Sequence, residues 1–156
     1  MARVNIGVNP KYLSDQHLVA ESVEITMITG QLRKHDYIIK SEIPTEFIMG
    51  KGHMNFFKNK LTYLKRRLDS VNIEMTNRGF NPGTKIDLSE FPPELQGDWN
   101  PTMNESMILR IRIADRLITR ANGKPANRLH RYNKRYIGWY NKSLGDKIIK
   151  SKLYCV

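Results

Sequence analysis

The chain is poor in cysteine and in long apolar runs. Its 156 residues include one cysteine, the penultimate Cys155, which excludes an intrachain disulfide and offers no cysteine-based zinc cluster. No apolar run approaches the roughly 18 residues that a membrane-spanning helix needs. The first residues also lack the apolar core of a secretory signal, so we expect an intracellular protein.

Acidic residues are also scarce, and they are unevenly distributed. The sequence has 15 Asp and Glu against 26 Lys and Arg, which gives a net charge of +11. Residues 121–156 hold nine basic residues and one acidic residue, whereas residues 1–120 hold 17 and 14. A basic tail on a nearly balanced body favours a polyanion as partner, most simply nucleic acid. The alternative is that these basic residues form a solvated surface and bind no polyanion.

Three stretches of the sequence have the features of helices, and no convincing series of alternating strands is present. The first predicted helix covers 14–29, with Ser14 as its N-cap and Gly30 as its end, and a short helical turn follows at 31–37. The second covers 53–77, with an apolar stripe from Phe57 to Met75.

The remaining chain is predicted to be mostly irregular up to the third helix. Residues 80–101 are rich in Pro and Gly and should hold at most one helical turn. A capping box at Thr102 and Glu105 opens the third helix, to about residue 119, with Met107, Ile111, Ala114 and Ile118 as its apolar side. We therefore predict an all-α fold: one compact domain over 1–156 with about three main helices and a basic, aromatic-rich C-terminal segment at 120–156.

The N-terminus is the first candidate for chemistry. The small Ala2 favours removal of Met1, which would leave a free α-amine with a reference pKa of about 7.7–8.0. The adjacent Arg3 would lower that pKa further, and a neutral amine can attack electrophilic carbon. The alternative is common, because many chains begin in this way and their amines have no catalytic role.

An ionisable face on the first predicted helix is the second candidate. His17, Glu21 and Glu24 follow one another at spacings of four and three, which places them on one side of the helix. A carboxylate there could stabilise a cationic transition state and move protons. The alternative is a set of salt-bridged residues that anchor the helix. A metal site is less favoured, since no further His or Cys has suitable spacing.

Arginines on the third predicted helix, together with the tail, are the third candidate. Arg112, Arg116 and Arg120 recur every four residues. The planar guanidinium matches phosphate, and the tail's aromatic rings could stack on unpaired bases. These features favour DNA binding, with ion pairing to acidic neighbours and packing on the core as the alternative.

Several motifs occur in order over residues 2–120, and together they carry a resemblance to a known family. They are Arg3-Val4-Asn5, Asp15-Gln16-His17-Leu18-Val19-Ala20-Glu21 with Glu24, Arg33-Lys34-His35, Pro44 to His53, Phe56 to Leu61, Arg78-Gly79-Phe80-Asn81, and Gly97-Asp98-Trp99 with Pro101. The ordered set resembles the phage pyrimidine-dimer DNA glycosylases, the ultraviolet endonuclease V family. The tail is a looser match, at residues 135–140.

The resemblance implies a mechanism and a substrate. The α-amine of Ala2 would attack the anomeric carbon of the damaged nucleotide, expel the base and form an imine with the opened sugar. The carboxylate of Glu24 would stabilise the sugar cation and assist the β-elimination that nicks the strand. No metal or organic cofactor is implied. The partner would be double-stranded DNA that carries damaged bases, sharply kinked with a base flipped out. We expect a monomer, phage-encoded and acting in a bacterial host.

Three positions depart from the family's usual pattern. Ala2 stands where the family usually has Thr, which should leave the backbone amine competent. Val23 and Met27 stand where well-known members carry arginines that hold the kinked strand. The rival hypotheses are therefore the same chemistry on another damaged or modified base, and a non-catalytic DNA-binding protein on the same fold. The resemblance implies these DNA-binding residues: Arg3, Gln16, His17, Lys34, Arg112 and Arg116.

Overall fold

The computed structural model describes residues 4–118, in which every regular element is helical. The long helices are α1 (Asp15–Lys34), α3 (Leu61–Asn77) and α4 (Met103–Ile118), and α2 (His53–Phe56) is a single turn. Three 3-10 turns cover Pro10–Tyr12, Leu88–Glu90 and Pro93–Leu95. The predicted all-α class with three main helices is confirmed. Ala2, Arg3 and the tail at 120–156 lie outside the described residues.

The chain divides into two compact units, which are defined here by their described residues. Unit 1 consists of Val4, residues 20–73 and residues 82–100. Unit 2 consists of residues 5–19, 74–81 and 101–118. The single domain expected over 1–156 stays a prediction.

Helix α1 is longer than predicted. The Ser14 hydroxyl accepts a hydrogen bond from the His17 N–H at 3.2 Å, which confirms the N-cap. The predicted stop at Gly30 is wrong, because the helix continues through it to Lys34, and the turn expected at 31–37 is mostly the end of α1. Glycine costs a helix only about 1 kcal/mol, and burial of Leu32 beyond it outweighs that cost.

The helix predicted over 53–77 is broken between α2 and α3. The backbone of residues 57–60 turns there and pairs with a distant segment. The Gly97 N–H donates to Asn59 O at 3.1 Å, and the Thr62 N–H donates to Gly97 O at 3.2 Å. A Cβ at Gly97 would lie 2.4 Å from Asn59 O, so this close approach requires glycine. Sequence periodicity could not show this long-range pairing.

The end of α3 follows the prediction. Gly79 has a φ of 81°, and the Phe80 N–H donates to Met75 O at 2.9 Å. This is the bonding of a glycine-terminated helix. The connection that follows contains two short helical turns rather than at most one, Leu88–Glu90 and Pro93–Leu95.

Helix α4 begins with the predicted capping box. The Thr102 N–H donates to the Glu105 carboxylate at 2.7 Å, and the Glu105 N–H donates to the Thr102 hydroxyl at 3.2 Å. The predicted apolar side is only partly right, since Ile111 is 52% exposed. Leu109 and Ile113 are buried together with Ala114, so the buried side of the helix lies to one side of the predicted stripe.

Each unit has its own apolar core. An aromatic cluster lies in unit 1, where ring centroids of neighbouring side chains are 5.0–6.2 Å apart, mostly edge to face. Its members are Phe47, Phe56, Phe57, Tyr63 and Trp99. Such ring pairs contribute about 0.5–1.5 kcal/mol each beyond area burial. In unit 2 the buried apolar side chains are Ile6, Val8, Leu13, Leu18, Met75, Leu109, Ile113 and Ala114.

Candidate active site

Two buried carboxylates lie three residues apart on α1, in unit 1. Glu21 is fully buried and Glu24 is 3% exposed. A carboxylate taken out of water is costly unless it is paired or has another use, so each needs its own explanation.

Glu21 is a structural carboxylate. Its two oxygens accept from Arg67 of α3, from Nε at 2.6 Å and from the second guanidinium nitrogen at 2.9 Å. Burial alone would lower the pKa of the Arg67 guanidinium, but the adjacent Glu21 carboxylate raises that pKa above its ordinary value. The guanidinium therefore stays charged, and its two hydrogen bonds to Glu21 tie α1 to α3, as the salt-bridge alternative expected of this face.

Glu24 is the other buried carboxylate. The Arg67 fork that neutralises Glu21 is bidentate, so its Nε and one terminal nitrogen are already directed at Glu21. Val4 belongs to the same unit as Glu24 and is fully buried. Ala2 itself lies outside the described residues, but covalent geometry places its nitrogen within about 7 Å of the Val4 nitrogen.

The backbone at Val4 is held by a buried histidine. The Val4 N–H donates to His53 Nε2 at 3.1 Å, and His53 is fully buried. The other ring nitrogen, Nδ1, lies 3.1 Å from Ile48 O. Since Nε2 accepts, Nδ1 must carry the proton and donate to that carbonyl, which defines a neutral tautomer. His53 thus joins the chain two residues after Ala2 to the start of α2.

Gln16 and His17 occupy the first turn of α1, in unit 2. Gln16 is exposed and His17 is half-buried. The segment before them is held by Arg78, which is 5% exposed. Its guanidinium donates to Asp15 Oδ1 at 3.0 Å and to Leu13 O at 2.8 Å. These hydrogen bonds hold the backbone that leads into the start of the helix, directly before both side chains.

The remaining predicted DNA-binding residues are also accounted for. Lys34 is exposed at the C-terminal end of α1, in unit 1. Arg112 and Arg116 are half-buried on α4, in unit 2, one helical turn apart. Arg116 lies 3.8 Å from the carboxylate of Asp115, a long and partly exposed contact that leaves most of its charge available. Arg120 and Arg3 lie outside the described residues.

An apolar line occupies the exposed side of α1. Val23 is 51% exposed and Met27 is 49% exposed, and they are one turn apart. The resemblance implies arginines at these two positions. Because both side chains are exposed, this difference lies on the surface of the protein.

The described residues offer no metal centre and no membrane-crossing element. Between residues 4 and 118, no group of three or more His, Cys, Asp or Glu side chains is arranged to hold a metal ion. None of the helices in that part of the chain is both long and apolar enough to cross a membrane.

Comparison with known proteins identifies the family. The family described as pyrimidine dimer DNA glycosylase matches residues 1–88, which is more than half of the chain. The chain belongs to that family. The matched segment includes Ala2, Arg3, Gln16, His17, Glu24 and Lys34, whereas Arg112 and Arg116 lie beyond it. The family's substrate is DNA that contains pyrimidine dimers, and its activity is that of a DNA glycosylase.

Three buried polar residues were not assigned a role from the sequence. Arg67 belongs to none of the motifs, and His53 and Arg78 appear only within the ordered set that carries the family resemblance. The side chain of each has a partner between 46 and 63 positions away in the sequence. The only available signal was the position of His53 and Arg78 inside motifs shared with the family.

Proposed function

We propose that this protein is a pyrimidine-dimer DNA glycosylase that also nicks the strand as an abasic-site lyase, with the α-amine of Ala2 as nucleophile. The observation that carries the proposal is the buried carboxylate of Glu24, which shares a compact unit with Val4. Glu24 stands at the position whose carboxylate the resemblance assigns to the sugar cation, and Glu21 on the same face is paired with Arg67. The family match covers both Ala2 and Glu24.

The first half of the reaction exchanges one bond at the anomeric carbon for another. The lone pair of the Ala2 nitrogen attacks C1′, and the bond from C1′ to the damaged pyrimidine breaks with its electron pair leaving on the base, which takes up a proton. The ring oxygen then departs from C1′ as a hydroxyl, and the nitrogen and C1′ form a protonated imine. The expelled pyrimidine stays joined to its neighbour through the cyclobutane ring.

The second half cuts the strand. A base removes a proton from C2′, the electrons form a double bond between C2′ and C3′, and the 3′ phosphate leaves. Water then hydrolyses the imine and regenerates the amine. Glu24 as carboxylate stabilises the cationic sugar in the first half and accepts or relays the proton in the second.

DNA binding is assigned to two sets of residues, each within one unit. In unit 2 the set consists of Gln16, His17, Arg112 and Arg116, and in unit 1 Lys34 adds an exposed cation. Guanidinium groups on phosphates position the duplex without reading its sequence. Extrusion of a base is cheapest at a distorted lesion, which contributes selectivity.

Borohydride trapping on duplexes with an abasic site or a pyrimidine dimer tests the proposal. Reduction of the imine should leave a stable adduct, and peptide mapping should place the sugar on Ala2. A matched sample with an acetylated N-terminus should give no adduct, although it should bind the same duplex. A sugar found on a lysine, or full trapping by the acetylated protein, would show that the amine assignment is wrong.

The exposed Val23 and Met27 favour a second candidate, the same chemistry on another damaged or modified base. Without cations at these positions, the lesion would be oriented by other contacts. Single-turnover rates on duplexes with one dimer, one oxidised pyrimidine or one alkylated base separate the two candidates. A faster rate on a modified base than on the dimer would establish the second.

A further inference from the structure

The buried side chain of His53 stands out because the proposed chemistry does not use it. It is fully enclosed, and both of its ring nitrogens have backbone partners from segments far apart in the sequence. Its Nε2 accepts from the Val4 N–H and its Nδ1 lies against Ile48 O. Its ring also packs edge to face on Phe47 and Phe57, with centroids 5.5 Å and 5.3 Å away.

We propose that His53 is a positioning residue for the N-terminal nucleophile, and this inference rests on the proposed function. The Val4 nitrogen is two residues from Ala2, and covalent geometry limits the separation of the two nitrogens to about 7 Å. If the chain were not held at Val4, the amine of Ala2 could occupy a large volume. An end fixed at Val4 confines the amine to a small region around that fixed point.

Confinement matters because the reaction requires a near-attack geometry. A positioned nucleophile converts an encounter into an intramolecular step, and a displacement of 1 Å can cost about a hundredfold in rate. Loss of the acceptor at His53 would leave the Val4 N–H buried without its partner, which favours release of the segment. The same loss would not change any group assigned to phosphate binding.

Three variants distinguish a role of His53 in positioning the amine from a role in the stability of the fold alone. His53→Leu removes both ring hydrogen bonds but keeps apolar bulk. His53→Gln keeps an amide oxygen that can accept from Val4 and an NH₂ that can donate to Ile48 O. Phe47→Leu is the matched control, since it removes a ring that touches His53 without touching the hydrogen bond to Val4.

The experiment measures the single-turnover rate of borohydride-trapped adduct on an abasic duplex, at a temperature where circular dichroism shows each variant folded. Affinity for a duplex with a reduced abasic site, which cannot form the imine, is measured alongside. His53→Leu should trap at least about tenfold more slowly with affinity changed less than about twofold. His53→Gln should recover most of the rate, and Phe47→Leu should trap as fast as the unaltered protein.

Amide hydrogen exchange at Val4 provides the second readout. The Val4 amide should be protected in the unaltered protein and in His53→Gln, and it should exchange rapidly in His53→Leu. A trapping rate for His53→Leu equal to that of the unaltered protein would overturn the positioning role alone. Slow trapping by His53→Gln despite a protected Val4 amide would do the same. Absence of an N-terminal adduct in the unaltered protein would instead remove the proposed function, and this inference with it.

Discussion

Glu21 and Glu24 of α1 should respond differently to replacement by glutamine: the first variant should lose stability, and the second should lose activity. Glu21→Gln removes the charge that balances the guanidinium of Arg67, whose side chain is 8% exposed. Breaking a buried ion pair from one side costs about 3–5 kcal/mol. For a chain of this size each kcal/mol lowers Tm by roughly 2–4 °C, so Tm should fall by roughly 6–20 °C. The folded fraction that remains should still nick DNA.

Glu24→Gln should have its effect on chemistry. If Glu24 stabilises the sugar cation and handles protons, nicking of a dimer-containing duplex should fall by at least about a hundredfold. Binding to a duplex with a reduced abasic site should persist, because the amide keeps the shape of the carboxyl group. Thermal unfolding and single-turnover nicking, measured on both variants at one temperature below either Tm, separate the two roles.

A double variant checks the structural half of this reasoning. Glu21→Leu with Arg67→Met replaces the pair by apolar side chains, which is often neutral or stabilising when the volume is kept. It should recover most of the Tm that Glu21→Gln loses. An unchanged Tm for Glu21→Gln would mean that the pair does not hold α1 to α3. Near-normal nicking by Glu24→Gln would remove Glu24 from the mechanism.

Three further predictions concern the surface. Val23→Arg should strengthen binding to dimer-containing duplex. The slope of log Kd against log salt concentration should become steeper by about one, the amount expected for one added phosphate contact. An unchanged slope would mean that this face does not contact DNA. Each of the variants Arg112→Ala and Arg116→Ala should reduce that slope by about one. Binding should weaken by a similar factor for damaged and undamaged duplex. A loss of affinity confined to damaged duplex would instead assign these arginines to recognition of the lesion. The hydrogen bond from Arg33 lowers the pKa of Glu90, so their pair stabilises fully above the ordinary glutamate pKa and is lost as pH falls through the lowered value. In Glu90→Gln the fall of Tm at acid pH should be smaller, because this ion pair is no longer there to be lost. The pair contributes less than about 1 kcal/mol, since both side chains are partly exposed. The same fall of Tm at acid pH in both proteins would contradict this prediction.

Local signals predicted the ends of helices well. The Ser14 cap, the Thr102–Glu105 capping box and the Gly79 terminus all depend on residues within a few positions of one another. Such signals are readable because their hydrogen bonds join neighbours. Gly30 failed as a stop because burial of the next turn, at Leu32, outweighs a small intrinsic preference.

Contacts between distant segments could not be predicted in the same way. The break at 57–60 depends on pairing with Gly97, and the anchoring role of Glu21 depends on Arg67. Spacing alone placed both carboxylates on one face and could not show that Glu21 pairs with Arg67. Composition likewise indicated DNA, but only the ordered motifs pointed to a repair chemistry.

The neutral imidazole of His53 suits the proposed chemistry better as an anchor for Val4 than a charged side chain would. An α-amine near its reference pKa of about 7.7–8.0 has a useful neutral fraction at pH 7. In the proposed site Glu24 already supplies one carboxylate, and a second one at the anchor would further favour the charged form of the amine and slow attack. A cationic anchor would compete for the same phosphates as the substrate. The imidazole of His53, with Nε2 accepting and Nδ1 donating, holds the backbone in its neutral form. Replacing His53 by Glu should therefore slow trapping more at pH 7 than at pH 9, where the amine is largely neutral in any case. Equal slowing at both pH values would show that His53 acts through geometry alone and that the charge of the anchor has no influence on the amine.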